Sequence, residues 1–287
     1  MAAPPAPFYT LDLSPPQQAL IAHLTPFRFH LVPDTGALEP YLPLASPPAV
    51  PYPLILTPPR PTDVPRAVET LNHPAVAFNL VGPPYPYTTE IALEYATMRG
   101  KTTETYFASL AERTAALLSS NANSDPAAAA AAAELSATAL PRDWLPDGCP
   151  MNNIRRADTG EWVGDMGVTR WRFEDVRADE ERERLCREND AKVAGDPETA
   201  WSFGFFLNPT YHGQRLMSPC LSALVTYLST FLRSEHIHGA AFADNVPSVR
   251  TQERNGFVRY GSWVREIAEK RGGGKKEVVV LKWEGGK

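Results

Sequence analysis

The chain has 287 residues and a formal net charge of −5, with 43% apolar and 21% charged side chains, proportions ordinary for a globular protein. This balance carries no basic signature, which argues against a nucleic-acid partner, and no apolar run approaches the ~20 residues of a membrane helix. Three cysteines, Cys149, Cys186 and Cys220, lie far apart without metal-ligand spacing, and with no visible secretory signal they suggest a reducing, cytoplasmic setting and no bound metal.

Proline dominates the N-terminal end: 21 of 29 fall in the first 86 residues, which disfavours long helices and central strands there. Ser14 as N-cap and Pro15 at the first helical position predict a short helix to Leu24. Phe27 to Val32 alternates as a strand, and Asp34-Thr35-Gly36 is a turn. Residues 1–51 are expected to form a proline-rich extension packed on a domain spanning 52–287. Leu54-Ile55-Leu56 reads as the first strand of that domain, and Thr62-Asp63 opens a helix through Leu71. Gly82 to Thr88, GPPYPYT, leads into a helical stretch from Ile91 to Ser119, with a break expected at Gly100. An alanine-rich excursion follows, and about 120–150 and 174–199 read as surface insertions. The second insertion is dense in charge and is expected to be a solvated helix or loop. Asn153 to Arg156, a turn at Asp158-Thr159-Gly160, and Glu161 to Trp171 form a predicted hairpin.

The most informative stretch is Ala200 to Phe257. Trp201 to Leu207 is an aromatic strand stopped by Asn208-Pro209. After the loop Thr210 to Arg215, apolar residues at Leu221, Leu224, Val225, Leu228 and Phe231 mark one face of a helix within Leu216–Leu232. Gly239 to Ala243 is a second buried strand, and Asn245 opens a short helix. Strand, loop at a helix N-terminus, helix and strand form a layout that can hold a phosphate on free backbone N–H groups. Val258 to Ile267 and Glu277 to Trp283 close the chain as a long hairpin.

These residues resemble the core of the GNAT N-acetyltransferase superfamily, most closely its ribosomal-protein N-terminal acetyltransferase branch and fungal relatives. Trp201, Phe203, Gly204, Leu207, Pro209, Tyr211 and Gly213 fit the first half of that branch's pattern; Asn245, Ser248, Arg250, Glu253, Gly256 and Phe257 fit the second. The resemblance implies an α/β (α+β) GNAT fold: a mixed, strongly twisted central sheet flanked by helices. It implies a soluble acyltransferase using acetyl-CoA, with Phe205, Phe206 and Leu207 holding the pantetheine and thioester. His212, Gly213, Gln214, Arg215, Leu216 and Met217 would hold the pyrophosphate, with Asn245 and Arg250 also on the cofactor side. Tyr85 and Tyr87 would face the acceptor; packing of these tyrosines among prolines is the plainer alternative. Ser248, Asn245 and Glu174 are the catalytic candidates; Asp165 and Asp244 are further carboxylates considered by position.

Two departures stand out. Arg215 occupies a position where relatives carry a small residue, so it either crowds the cofactor or grips its phosphates. Gln252 stands where many relatives have a tyrosine that protonates the departing thiolate. The acceptor class is a primary amine, either a protein N-terminus or a small molecule, and the assembly a monomer or homodimer. The rival is a non-catalytic GNAT-like binding or scaffold protein.

Overall fold

A computed structural model describes residues 6–44, 50, 52–120 and 140–285; the alanine-rich excursion lies outside them. Among the described residues, nine strands form one mixed sheet in the order β1-β2-β3-β4-β5-β6-β7-β9-β8. They are β1 (Arg28–Leu31), β2 (Leu38–Leu44), β3 (Leu54–Thr57), β4 (Asn153–Arg156), β5 (Trp162–Arg170), β6 (Ala200–Leu207), β7 (His236–Phe242), β8 (Phe257–Glu266) and β9 (Lys275–Trp283). The helices are α1 (Pro15–Leu24), α2 (Val64–Asn72), α3 (Pro74–Ala77), α4 (Thr89–Ser120), α5 (Asp179–Asp190), α6 (Met217–Thr226) and α7 (Val246–Arg254). This is the mixed α/β architecture that the sequence implies.

All pairings are antiparallel except β6 with β7. That parallel pair is short: Ala200, Trp201 and Ser202 lie opposite His236, Ile237 and His238, and pairing stops there. Beyond Ser202, β6 keeps its bonds to β5 as far as Leu207, while β7 keeps its bonds to β9 as far as Phe242. The two strands therefore splay, and the backbone edges facing the gap have no strand partner.

One face of the sheet rests on a large apolar core. Phe27, which follows α1, sits fully buried with edge-on contacts to Phe107 at 5.5 Å and Phe231 at 5.8 Å. Leu20, Ile21 and Leu24 of α1 join Leu221, Leu224 and Val225 of α6 in that core. Burying three such side chains from α1 is worth roughly 5 kcal/mol or more, which ties the N-terminal segment to the sheet.

Local structure departs from expectation in a few places. The segment after Gly36 forms β2, paired between β1 and β3 despite Pro40 and Pro43. β1 is only four residues long, so the lost ladder bonds lie near a sheet margin. Helix α4 runs without interruption through Gly100. A Cβ at Gly100 would sit 2.5 Å from the Phe8 carbonyl oxygen, so the glycine serves to let the N-terminal segment cross the helix rather than to break it. After α6 the chain passes into a π-turn over Tyr227–Phe231 instead of continuing as a regular helix.

Candidate active site

The gap between β6 and β7 opens into a cleft of about 1240 Å³. Phe205, Phe206 and Leu207 line it from β6, and Ala240, Ala241 and Phe242 from β7. Phe203 and Gln252 also reach it, with the Gln252 amide packed against Gly239.

At one end lies the loop between β6 and α6. Asn208 accepts a bond from the Thr210 N–H and donates to Thr70 Oγ1, fixing the exit of β6. His212, Gly213, Arg215, Leu216 and Met217 line the cleft. Gln214 does not: its amide donates to the Thr210 carbonyl and accepts from the Tyr52 hydroxyl. The His212 ring bonds the Leu207 carbonyl at 3.0 Å. Gly213 and Arg215 both take positive φ, 77° and 60°, turning the chain sharply before α6. Leu216 caps α6 without a side-chain bond to the helix, so the leading amides and the positive dipole end remain available to an anion.

Across the gap, Asn245 is the N-cap of α7, accepting from the Ser248 N–H at 3.3 Å. Ser248 Oγ accepts from Gln252 Nε2 at 3.5 Å. Asn245, Ser248 and Arg250 all line the cleft. Asp244 does too, but Lys276 pairs with it at 2.9 Å. Glu174 sits exposed at the mouth.

The other end is built by β4, β5, α2 and α4. Asp165 of β5 lies opposite Phe206 in register and lines the cleft, only 9% exposed. A register shift in the β4–β5 ladder beside Arg155 brings Trp162 onto the same lining, its ring 6.1 Å from Phe206. Asn152 Nδ2 donates to Asp165 Oδ2 and to Asn153 Oδ1; Asn153 Nδ2 donates to Asp63; and Asp63 takes a two-point bond from Arg155. The Arg155–Asp63 pair is almost fully buried at 2.7 Å, so its charges offset one another and leave Asp165 as the unneutralised carboxylate of this end. Burial pushes the Asp165 carboxyl up to about 6, against the opposing pull of Arg99 and the Asn152 bond. Burial, then the Asp165 charge, raises the Tyr87 hydroxyl to about 12. Sequence reasoning gives Asp165 no precedence over Glu174, because the signal lies in burial and in partners brought from β4, which residue spacing does not display.

Tyr87 lines this end, its backbone held by a reciprocal pair of bonds with Asn72. Tyr85 lies outside the lining; it packs edge-on against Phe78 and beneath the Arg271 guanidinium. Arg271, at the tip of the β8–β9 hairpin, donates to the carbonyls of Ala77, Leu80 and Pro83. The hairpin is thereby fastened to the loop that forms the cleft's outer wall.

The sequence matches the family described as the acetyltransferase (GNAT) domain over residues 53–258. The chain belongs to the GNAT acetyltransferase family. No curated protein matches. Among solved structures, this GNAT chain resembles the apo ribosomal L7/L12 alpha-N-protein acetyltransferase RimL, with 15% identity, coverage of 88% of this chain and 98% of that one, and a TM-score of 0.50. A GNAT acetyltransferase from Bacillus anthracis matches with 12% identity, 84% and 97% coverage and a TM-score of 0.49. The microcin C7 self-immunity acetyltransferase MccE, solved with acetyl-CoA and AMP, matches with 10% identity, 82% and 93% coverage and a TM-score of 0.46. At these identities the likeness is one of fold. Among the described residues of this GNAT chain, no helix is long and apolar enough to cross a membrane.

Proposed function

We propose that the protein transfers the acetyl group of acetyl-CoA to a primary amine by direct attack in a ternary complex. The observation that carries this reading is the splay of β6 from β7 beyond Ser202, with Asp165 opposite Phe206 on the cleft lining beside it. The gap-facing backbone edge of Phe205 to Leu207, where the Leu207 carbonyl is already bonded by the His212 ring, suits a pantetheine arm and a thioester carbonyl, which need hydrogen-bond partners at the point where water is excluded. The α6 N-terminus, with the His212–Met217 loop, suits a pyrophosphate. Arg215 and Arg250, exposed and on the lining, supply cations on that side, and Asn245 a polar contact. Gln214 contributes through its backbone alone, since its side chain is occupied elsewhere.

In the transfer, the neutral amine forms the new C–N bond, the C–S bond breaks, and two proton movements complete the balance. Asp165 takes the proton from the amine: its carboxyl, raised to about 6, is a stronger base than an ordinary aspartate and is ionised at neutral pH. Glu174 stands exposed at the mouth. Ser248 is the polar hydroxyl on the α7 side from which a departing thiolate can take its proton, with Gln252 holding it. Tyr87 forms part of the acceptor wall. The acceptor is a protein N-terminus or a small amine, and the protein acts as a monomer or homodimer in the cytoplasm. The same reading treats 1–51 as an extension of a 52–287 domain, with insertions about 120–150 and 174–199.

One observation favours a non-catalytic scaffold instead. Gln252 Oε1 is buried without a partner at the position where many relatives keep an acidic hydroxyl. Thiol release from acetyl-CoA over a panel of amines and peptides separates the two. Amine-dependent release supports the enzyme; release no faster than without amine supports the scaffold.

A further inference from the structure

The floor of the cleft is bare along one line. On β5 and β6, Asp165 lies opposite Phe206, Gly167 opposite Gly204, and Thr169 opposite Ser202, and all six line the cleft. A Cβ at Gly204 would meet nothing within 4 Å. One at Gly167 would meet only the Tyr95 hydroxyl at 3.8 Å and Asp165 Oδ1 at 4.0 Å. Two glycines and two small hydroxyl side chains thus leave an open track leading away from Asp165.

The track ends at Trp171, Trp263 and Glu174. There a second cavity of about 360 Å³ adjoins the first, sharing Glu174 and Trp263 with it. Its other lining residues are Arg172, Arg182, Cys186 and Arg265. Arg172 pairs with Asp190 and Arg182 with Asp179, both in exposed contacts at 2.6 Å. Arg265 has no carboxylate within ion-pair distance among the described residues. Exposed pairs of this kind exchange partners at little cost. The charged insertion carrying α5 therefore contributes the Arg182 guanidinium to this adjoining cavity, a role that its composition alone does not reveal.

We infer that this track is the path of an extended acceptor chain, and that the arginines at its end select an acidic side chain on that chain. The inference rests on the acetyltransferase reading for the identity of the reacting end. Six residue steps lead from Asp165 to Trp171, roughly 20 Å at ~3.3 Å per strand residue. A peptide whose amino group sits at Asp165 spans that length with about six extended residues, bringing its fifth to seventh side chains to Arg172, Arg182 and Arg265. A glycine floor admits a backbone where larger side chains would exclude it. A small amine would fill only the Asp165 end and leave the arginine cavity without an occupant.

The test uses the full chain and two ten-residue peptides with free N-termini and a C-terminal dye. Both are neutral except that one carries Glu, and the other Gln, at positions five to seven. Binding is read by fluorescence anisotropy with coenzyme A present, and acetylation by mass. The acidic peptide is expected to bind about tenfold tighter, with the preference weakening as salt rises. Arg265→Glu is expected to abolish the preference and Arg265→Ala to reduce it, while acetyl-CoA affinity stays unchanged. Equal binding of the two peptides, or a preference that survives Arg265→Glu, overturns the inference. Acetylation of both peptides at equal kcat/KM overturns it and leaves the acetyltransferase reading intact. Charge-selective binding without any acetylation supports the track and counts against that reading.

Discussion

Replacing Asp165 by Asn separates stability from chemistry. In the folded chain, burial raises this carboxyl from 3.8 to about 6. The folded state therefore holds the proton more tightly than the unfolded one. This carboxyl's contribution to stability is greatest below about pH 4, falls as pH rises to about 6, and thereafter is a constant penalty of ~3 kcal/mol for ionising a group in a poorly solvated place. The Asp165→Asn variant would keep an acceptor for the Asn152 amide but has no charge to bury. It is expected to gain roughly 1–3 kcal/mol in urea unfolding at pH 8 and to gain nothing at pH 4. Activity moves the other way. Loss of a general base costs about 10²–10⁴ in kcat, and the acid limb of kcat/KM near pH 6 should vanish. The groups facing Asp165 are Asn152, Tyr87, and Tyr95 and Arg99 of α4, and the acid limb is assigned to the Asp165 carboxyl itself. A variant that is less stable at pH 8, or that keeps both its rate and its acid limb, refutes the reasoning.

Arg215→Gly should stay within about 1 kcal/mol of the parent in stability, because relief of a left-handed φ offsets the added freedom of glycine. Calorimetry should show it binding acetyl-CoA about tenfold more weakly if the guanidinium grips phosphate; tighter binding would mean that the side chain crowds the site. Glu39 is fully buried among Arg60, His30 and Tyr9; burial raises its carboxyl, but the Arg60 and His30 bonds outweigh that and hold it at about 2. Its contribution to stability is thus present above about pH 4.5 and lost as pH falls towards 2. Glu39→Gln should cost about 3 kcal/mol at pH 7 by denaturant unfolding, since the half-buried Arg60 guanidinium loses its fully buried counter-charge; a cost below ~1 kcal/mol would contradict that assignment.

Much of the stretch from Ala200 to Phe257 was legible because local signals and the chain order agreed. The strand Ala200–Leu207, the loop, the α6 start and the Asn245 cap each follow from residue type within a few positions. The gaps have a common cause: they depend on segments distant in sequence. Prolines in β2 argue against a strand until β1 and β3 are known to flank it. Gly100 reads as a break until Phe8 is seen crossing the helix. Asp165 looks like any strand carboxylate until Asn152, Asn153, Asp63 and Arg155 join it from β4 and the start of α2. Tyr85 shows the converse: the family resemblance implies an acceptor contact, yet Arg271 of the terminal hairpin and Phe78 occupy its ring.

The most direct test of the account is titration of the full chain with acetyl-CoA by calorimetry, with S-acetylpantetheine, which lacks the pyrophosphate and the nucleotide, as the control. Binding at one site with a micromolar Kd, weakened when the pyrophosphate is absent, is the predicted result for a cofactor held in the β6–β7 gap and on the α6 N-terminus. No detectable binding at millimolar acetyl-CoA would contradict it.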